Sequence, residues 1–457
     1  MKDYVLLSNQ FTLKGSQEEQ VLLGLIGGER YKLTPDQYNL LRLCDGSLNI
    51  GQIRAKYDCA SQSVIDEFLA NLQKIGAITK SSKVAERNPQ SELVPSPRLQ
   101  NVQLEATSAC NLSCAHCYQG KQYPVSGNLT QDDCDKLITQ LSRMQVEGVS
   151  ISGGEPLLDG KTNHLAHQIE LHDIRVTSLF TNGLLLDQDI VAEICSWRSR
   201  PTIFISLDTL TPDNFRFRGV KPATAKAALK KVFEGTGMLI GAGLSVVINT
   251  AVNRGNITTL RDMHEFVQDL GVASWRLGFP KRAGFFRRVY RNLEASWDEL
   301  LSASFNLLRH HLECGNPFHI QIEYLYRDEL FEDLAMLPDL AHICDYEGRR
   351  HSCCIKPNGD VVSCAYCNDM PLGNIRQQSL DTVWYSKVMQ SVKNLRIIDV
   401  TECRNCDLRG YCAAGCRANA SFLGGNFRTS KDHYACQAVQ YFVDQVLPYL
   451  RAQGIAK

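Results

Sequence analysis

From residue 101 onward, short apolar runs alternate with longer amphipathic stretches. The apolar runs have the length of strands and predict strands at Val102–Ala106, Val149–Ser152, Val176–Thr181, Thr202–Leu207, Leu244–Asn249 and Trp275–Phe279. The stretches between them have a helical period and predict helices at Leu129–Glu147, Leu165–His172, Gln188–Trp197, Pro222–Glu234 and Ile257–Leu270. Six repeating strand–helix units predict an α/β fold with a mostly parallel sheet, a partial (βα)6 barrel.

Residues 1–80 carry a different pattern, which predicts a separate small domain. Strand-like pieces come first, at Tyr4–Leu7, Phe11–Leu13 and Glu29–Leu33. Three helical patterns follow, at Pro35–Cys44, Ile50–Tyr57 and Ser61–Ile75. Thr34 is a candidate N-cap for the first of these helices, with a proline at the first helical position. Residues 81–98 contain three prolines and no apolar periodicity, which predicts a linker to a barrel over residues 99–315.

Composition narrows the function classes. Lys+Arg and Asp+Glu balance at 49 each, so no overall positive charge favours binding to nucleic acid. No polybasic run favours binding to a membrane surface. The first residues lack the apolar stretch of a signal peptide, and no run is long and apolar enough to predict a transmembrane helix. The 18 cysteines cluster at metal-type spacings. A cytoplasmic protein with thiolate-bound metal is therefore predicted, rather than a secreted disulfide scaffold.

The first cysteine cluster follows the first predicted barrel strand. Cys110, Cys114 and Cys117 form a C-x3-C-x2-C array within the sequence TSACNLSCAHCYQ. So short a loop can aim three thiolates at one [4Fe–4S] cluster, which leaves the fourth iron open for chemistry. The next residue, Tyr118, is placed to pack against a flat ligand beside the cluster. A structural zinc loop is the alternative, although zinc sites usually collect a fourth ligand nearby.

This loop resembles the signature of radical S-adenosylmethionine (SAM) enzymes. In that family the open iron binds SAM, and the reduced cluster cleaves it to a 5′-deoxyadenosyl radical that takes a hydrogen atom from the substrate. The segment after the second strand matches the family's contact to the amino group of SAM, and it consists of Gly153, Gly154, Glu155 and Pro156. The resemblance also implies SAM contacts from Tyr118, Asn182, Ser206 and Arg218.

The N-terminal string YKLTPDQYNLLRLCDGSLNIGQIRAKY resembles the PqqD-like peptide-recognition domain. That domain is a winged-helix fold, which binds the leader segment of a precursor peptide by adding a strand to its sheet and packing against its third helix. By position these elements are Glu29–Leu33 and Ser61–Ile75. A DNA-binding winged helix is the alternative, but the third helix carries Asp66, Glu67 and one basic residue, Lys74, a poor match to phosphate contacts.

The C-terminal third, residues 316–457, holds a second field of cysteines. The run CRNCDLRGYCAAGC is a C-x2-C-x5-C-x3-C array, and a Gly-x4-Cys segment lies upstream. This pattern resembles the SPASM domain, which holds two auxiliary [4Fe–4S] clusters. The resemblance implies that the first auxiliary cluster is bound by Cys344, Cys364 and Cys416. It implies that the second is bound by Cys403, Cys406, Cys412 and Cys436. The fourth ligand of the first cluster is assigned to Cys353 or Cys354, with Cys367 or an open iron as the alternatives.

The three domains in this order resemble maturases of ribosomally synthesised peptides, especially the thioether-forming, sactipeptide-type branch. The resemblance implies an enzyme that binds a precursor peptide with a leader and receives an electron from a donor such as flavodoxin or ferredoxin. It then forms an intrapeptide crosslink, for which a Cys thioether is the preferred hypothesis. Carbon–carbon crosslinking, peptide epimerisation and sulfatase maturation are alternatives within the family. A non-catalytic peptide-binding iron–sulfur scaffold is the alternative from another class. No residue is assigned as a catalytic acid, base or hydrogen donor.

Overall fold

The N-terminal unit contains two antiparallel three-stranded sheets. The computed structural model describes residues 4–57, 62–82, 84, 92–120, 124–327, 338–343 and 349–456. The strands of the unit are β1 (Tyr4–Leu7), β2 (Phe11–Gly15), β3 (Gln20–Gly24), β4 (Arg30–Leu33), β5 (Asp45–Asn49) and β6 (Ile78–Ser81). One sheet has the order β5-β1-β6, and the other has the order β2-β3-β4. The three predicted strands are confirmed within two residues, whereas β3, β5 and β6 are additional to the prediction.

Three helices complete this unit, as predicted: α1 (Pro35–Arg42), α2 (Ile50–Lys56) and α3 (Gln62–Lys74). Two capping boxes fix where the first two begin. The Gln37 N–H donates to Thr34 Oγ1 at 3.2 Å, and the Thr34 N–H donates to Gln37 Oε1 at 3.0 Å. Asn49 and Gln52 form the same reciprocal pair at the start of α2. Each box satisfies two backbone donors that a helix start would otherwise leave unpaired.

The barrel sheet contains all six predicted strands and one more. Its strands are β7 (Asn101–Thr107), β8 (Gly148–Gly153), β9 (Arg175–Thr181), β10 (Thr202–Ser206), β11 (Val246–Ala251), β12 (Ser274–Gly278) and β13 (His319–Ile322). Each pairs in parallel with the next along the chain. The helices are α4 (Gln131–Arg143), α5 (Lys161–Leu171), α6 (Gln188–Ser196), α7 (Pro222–Gly241), α8 (Leu260–Leu270), α9 (Phe286–Leu293) and α10 (Trp297–Glu313). The central parallel sheet of an α/β fold is therefore confirmed.

The C-terminal segment extends the same sheet at both edges. Its strands are β14 (Tyr326–Arg327), β15 (Ser352–Ile355), β16 (Asp360–Val362) and β17 (Gly373–Asn374). Its helices are α11 (Leu380–Trp384), α12 (Lys387–Lys393), α13 (Arg409–Cys412), α14 (Arg417–Phe422), α15 (His433–Tyr441) and α16 (Leu447–Ala452). β15 pairs in parallel with β7, so the sheet runs β14-β13-β12-β11-β10-β9-β8-β7-β15-β16-β17. It therefore continues across the predicted boundary between residues 315 and 316.

The N-terminal unit docks at the amino ends of the barrel strands. Glu147, which precedes β8, forms ion pairs with Arg98 and, at 3.1 Å, with Arg30. Arg175, the first residue of β9, donates to the carbonyl of Ile26 at 3.1 Å. The small unit thus sits at the amino-terminal end of the barrel strands. Ligands gather at the other end of such folds, beside the carboxyl ends of the strands.

The predicted linker, residues 81–98, falls partly outside the described residues. Its last part packs closely against the C-terminal segment. The carbonyl of Pro97 accepts the indole N–H of Trp384 at 2.8 Å, and the carbonyl of Pro95 accepts the Tyr385 hydroxyl at 2.9 Å. None of the helices in the described part of the chain has the length and apolar character needed to cross a bilayer.

Candidate active site

A cavity of about 1470 Å³ extends from the carboxyl ends of the barrel strands into the C-terminal segment. The three cysteines of the first cluster, Cys110, Cys114 and Cys117, lie in its wall. The predicted cofactor contacts in the wall are Tyr118, Gly153, Gly154, Asn182, Ser206 and Arg218. The C-terminal segment contributes Cys353, Cys354, Cys364, Cys367, Cys412 and Cys416. Cysteines of both fields identified in the sequence therefore line the same cavity.

The glycine pair after β8 holds the start of the cysteine loop. The Gly154 N–H donates to the carbonyl of Thr107 at 2.7 Å, and the Glu155 N–H donates to that of Ala109 at 2.8 Å. A Cβ atom on Gly153 would lie 2.5 Å from the Thr107 carbonyl oxygen, and one on Gly154 would lie 2.2 Å from that of Ala109. Any larger residue at either position would push the loop away, so these glycines are required for close backbone packing.

The Glu155 side chain points into the protein. Its carboxylate accepts the Thr181 hydroxyl at 2.7 Å, the Asn182 N–H at 2.7 Å and the Leu157 N–H at 3.2 Å. Burial raises the pKa of Glu155, and these three donors oppose the rise. The side chain thus braces the end of β9. The cavity wall contains Gly153 and Gly154 but neither Glu155 nor Pro156, whose contact with SAM stays a prediction.

A short turn on the other side supports the middle of the loop. The Ala115 N–H donates to the carbonyl of Phe217 at 2.9 Å, and the His116 ring stacks on the Phe217 ring at 4.4 Å. Burial lowers the pKa of His116 to about 4. The imidazole is therefore neutral near pH 7 and contributes packing rather than charge to the loop.

Arg218 lies buried in the cavity wall beside the carboxylate of Asp208, which follows β10, the fourth barrel strand. Arg218 Nε is 2.7 Å from Asp208 Oδ2, and the two side chains are 6% and 3% exposed. Asp208 Oδ1 accepts the Ala251 N–H at 2.7 Å. Asn182 donates to Asn111 Oδ1, also at 2.7 Å, and so contacts the cysteine loop directly. The ion pair with Asp208 holds the Arg218 guanidinium in the cavity wall, where its contact with SAM stays a prediction.

The first cysteine group fits an iron–sulfur cluster. All three thiols are free, and two of the sulfurs accept backbone N–H groups: Cys110 Sγ from Leu112 at 3.4 Å, and Cys117 Sγ from Gly120 at 3.2 Å. The three sulfurs do not all lie within 4.8 Å of one another, as ligands of a single ion would. Burial raises the pKa of Cys114 to about 12, so metal binding must displace its proton.

The second group brings Cys364 and Cys416 together, as the predicted first auxiliary cluster requires. Cys354 and Cys367 pack in the same cluster of side chains, and the Cys367 N–H donates to the Cys364 carbonyl at 2.9 Å. Cys353 points to the opposite face of β15 and packs in the barrel core. The structure thus places Cys354 and Cys367, not Cys353, beside the other two. Cys344 lies outside the described residues.

The third group consists of Cys403, Cys406, Cys412 and Cys436, the predicted ligands of the second auxiliary cluster. Burial is the main cause that raises the pKa of Cys412 to about 12, and the nearby thiols of the other three cysteines also raise it. The Cys406 N–H donates to the Cys403 carbonyl at 3.0 Å, which closes a tight turn between two of them. The four residues are mutual neighbours, so their arrangement is compatible with a shared cluster.

A buried ion pair that the sequence did not reveal joins the cysteine loop to the C-terminal segment. Glu105 on β7 and Lys356 are both fully buried, with Lys356 Nζ 2.7 Å from Glu105 Oε1. Glu105 also accepts the Tyr118 hydroxyl at 3.0 Å and the Gln119 side-chain N–H at 2.7 Å. Lys356 donates in addition to the carbonyl of Ala365 at 2.6 Å. One carboxylate therefore fixes the end of the cysteine loop relative to the second cysteine field.

Replacing Glu105 with Gln is expected to destabilise the protein by about 3–5 kcal/mol, because it leaves the Lys356 ammonium buried without its counter-ion. For a chain of this length, that corresponds to a fall in melting temperature of about 3–5 °C in anaerobic calorimetry. The double variant Glu105→Gln/Lys356→Met removes the uncompensated charge and should recover most of the loss. A single variant as stable as the wild type, or a double variant no better than the single, would contradict this role.

Two segments of the chain, each containing cysteines of one of the two fields, match known protein families. Residues 104–269 match the Radical SAM superfamily, and residues 344–407 match the SPASM iron–sulfur cluster-binding domain. The antilisterial bacteriocin subtilosin biosynthesis protein AlbA of Bacillus subtilis strain 168 is 23% identical over 411 residues, covering 85% of this chain and 84% of AlbA. The AdoMet-dependent heme synthase of Methanosarcina barkeri is 26% identical over 350 residues, covering 72% of this chain and 94% of that protein.

Among solved structures, Streptococcus suis SuiB bound to precursor peptide SuiA matches with a TM-score of 0.68 and 15% identity, over 94% of this chain and 99% of SuiB. At that identity the likeness shows the fold. The first family match contains Cys110, Cys114 and Cys117, and the second contains Cys364 and Cys403. The chain is therefore a radical SAM enzyme with a SPASM domain, which uses SAM, a [4Fe–4S] cluster and auxiliary iron–sulfur clusters.

Proposed function

We propose that this enzyme matures a ribosomally synthesised peptide by forming an intrapeptide crosslink, a thioether from a cysteine of the peptide. The observation that carries the proposal is the single cavity of about 1470 Å³ between the cysteine loop and the second cysteine field. It exceeds the range of about 300–1,000 Å³ that is usual for small-ligand sites. SAM and the clusters take part of this volume, and the remainder suits a peptide segment. Similarity to AlbA and to the fold of SuiB supports a peptide substrate.

The residues of the chain contribute placement and charge. When bound, SAM and the clusters supply the deoxyadenosyl radical for hydrogen abstraction and an acceptor for the surplus electron. Lys281 lies in the cavity wall and donates to the Tyr324 hydroxyl at 3.4 Å. Tyr324 contacts Asp432 at 3.3 Å, and Asp432 accepts the Cys416 N–H at 2.9 Å. This network places Cys416 beside the buried Lys281 ammonium, which opposes part of the rise that burial causes in the pKa of Cys416, to about 12.

The N-terminal unit is proposed to bind the leader of the precursor peptide. β4 is an edge strand that pairs only with β3 among the described residues, and three of its four residues are exposed. A peptide strand can add to such an edge through backbone hydrogen bonds. Tethering by the leader would raise the effective concentration of the core peptide at the cavity. Flavodoxin or ferredoxin is the proposed electron donor.

We also propose a cytoplasmic location for this activity. Every cysteine in the described part of the chain is a free thiol. A reducing compartment keeps thiols available for metal binding and keeps the cysteine of the peptide available for crosslinking.

The bond type is tested by mass and thiol content together. Each thioether is expected to lower the peptide mass by two hydrogens and to consume one free thiol, because carbon loses a hydrogen atom and sulfur loses its proton and an electron. Iodoacetamide should therefore label fewer peptide cysteines after the reaction than before it. The control is the same incubation without SAM, which should leave mass and labelling unchanged.

Two other outcomes identify other reactions. Loss of two hydrogens with every cysteine still alkylated would overturn the thioether and indicate a carbon–carbon crosslink. Deuterium uptake from heavy water without net oxidation would indicate epimerisation. If SAM is cleaved and the peptide binds but is not changed in any of these ways, peptide maturation itself is contradicted.

A further inference from the structure

Two helices on the outside of the barrel bring together three residues with metal-binding side chains. His264 belongs to α8, and His310 and Cys314 lie at the end of α10. One ligand atom from each, a ring nitrogen or the thiol sulfur, lies within 4.8 Å of the other two. None of the three residues borders the large cavity or falls in the iron–sulfur cysteine groups. In the described part of the chain they are the one set of His, Cys, Asp or Glu side chains this closely grouped.

His264 is the buried member of the group, and its two ring nitrogens differ in their partners. Its side chain is fully buried, and its Nε2 lies 3.0 Å from Nδ1 of His311. The other nitrogen, Nδ1, is buried and has no hydrogen-bond partner among the described residues. A buried polar atom without a partner costs about 1–3 kcal/mol. A metal ion at Nδ1 would remove that cost, and it would leave Nε2–H to donate to His311, as ligating histidines usually do.

The other two residues have the spacing and exposure of a binding site. His310 and Cys314 are four residues apart, which places them on one face at the end of α10. Cys314 Sγ lies 3.7 Å from His310 Nε2, and the Cys314 side chain is exposed while that of His310 is half-buried. A site of this shape is buried on one side and open to solvent on the other. Water can therefore complete a coordination sphere that the protein supplies with three ligands.

We propose that His264, His310 and Cys314 bind one zinc ion, which links α8 to α10 outside the active site. Two imidazoles and one thiolate are a borderline-soft donor set, which suits zinc better than the hard, oxygen-preferring cations. The bound ion would tie α8, which connects β11 to β12 along the chain, to α10, which precedes β13. It is separate from the iron–sulfur chemistry, because its ligands belong to none of the three cysteine groups described above.

The test uses the full chain with its iron–sulfur clusters reconstituted. After EDTA treatment and removal of the chelator, the protein is equilibrated with Zn²⁺ and desalted, and zinc and iron are measured by mass spectrometry. We expect about one zinc per chain in the wild type. Cys314→Ala and His310→Ala should each lower zinc binding at least tenfold without changing iron. Cys195→Ser, at a half-buried thiol on α6, is the control that should keep both metals.

Two further measurements distinguish this site from zinc held by the cluster cysteines. Zinc-edge X-ray absorption should show nitrogen ligands with one sulfur, rather than the all-sulfur shell of a cysteine cluster site. Zinc should also slow alkylation of Cys314 by iodoacetamide, measured at that residue by peptide mapping. Equal zinc in the wild type and the Cys314→Ala variant, an all-sulfur shell, or no zinc in the wild type would each overturn the proposal. These readouts are independent of catalysis, so failure of the peptide-maturase proposal would not affect them.

Discussion

Replacing Cys110, Cys114 and Cys117 together with alanine is expected to abolish SAM cleavage and to remove about a third of the iron. Three [4Fe–4S] clusters hold about 12 iron atoms, and this triple variant loses the ligands of one of them. The auxiliary cysteine groups lie in the C-terminal segment and keep their own ligands. Anaerobic reconstitution followed by iron analysis and assay of deoxyadenosine release measures both effects.

The fold of the loop should survive this change, so the result will report on metal binding. The loop is held by backbone contacts, such as Ala115 to Phe217 at 2.9 Å and Glu155 to Ala109 at 2.8 Å, which alanine substitutions leave intact. Cys134→Ala, at a half-buried thiol on α4 outside the three cysteine groups, is the matched control and should keep iron and activity. Unchanged iron in the triple variant, or stoichiometric zinc with little iron in the wild type, would contradict the cluster assignment.

The barrel strands were predictable because the signal for them is local. β8, β9 and β10 are six, seven and five residues long, and buried apolar residues recur two or three positions apart along each of them. Ile151, Leu179 and Ile203 on successive strands are all fully buried. β13, with the sequence HIQI, alternates polar and apolar residues over only four positions. Its strand character comes from pairing with β12, which no local pattern records.

Contacts between segments that are far apart in the sequence could not be predicted, because no local pattern records them. Cys353 pairs with Val102 in adjacent strands, although about 250 residues separate them. Glu105 looks like an ordinary polar residue on a strand until Lys356 is brought to it by that pairing. In the candidate site, the motif located the glycine pair correctly at the cavity. It did not reveal that the Glu155 carboxylate is bonded to Thr181 and Asn182.

The free edge of β4 can be blocked without disturbing the sheet. The Gly24 N–H donates to the Glu29 carbonyl at 2.8 Å, and the antiparallel register pairs Leu22 with Tyr31. Hydrogen-bonded pairs alternate in such a ladder, so Tyr31 bonds to β3 while the backbone N–H of Lys32 faces outward. The Lys32 side chain is exposed. Proline is tolerated on an edge strand at such an outward-facing position, and the preceding residue is already extended.

Lys32→Pro is therefore expected to weaken leader binding by at least about tenfold, because it removes an outward backbone donor and places a ring where the added strand would lie. Lys32→Ala removes the same side chain but keeps the donor, and it should bind the leader like the wild type. Titration of a labelled leader peptide by fluorescence anisotropy measures both. Processing of the full precursor should fall in the proline variant. Slow SAM cleavage without peptide should stay at the wild-type rate, because the N-terminal unit and the cysteine loop lie at opposite ends of the barrel strands. Equal leader affinity in the proline and alanine variants would contradict strand addition at β4. A matching fall in peptide-free SAM cleavage would show instead that the substitution damages the barrel.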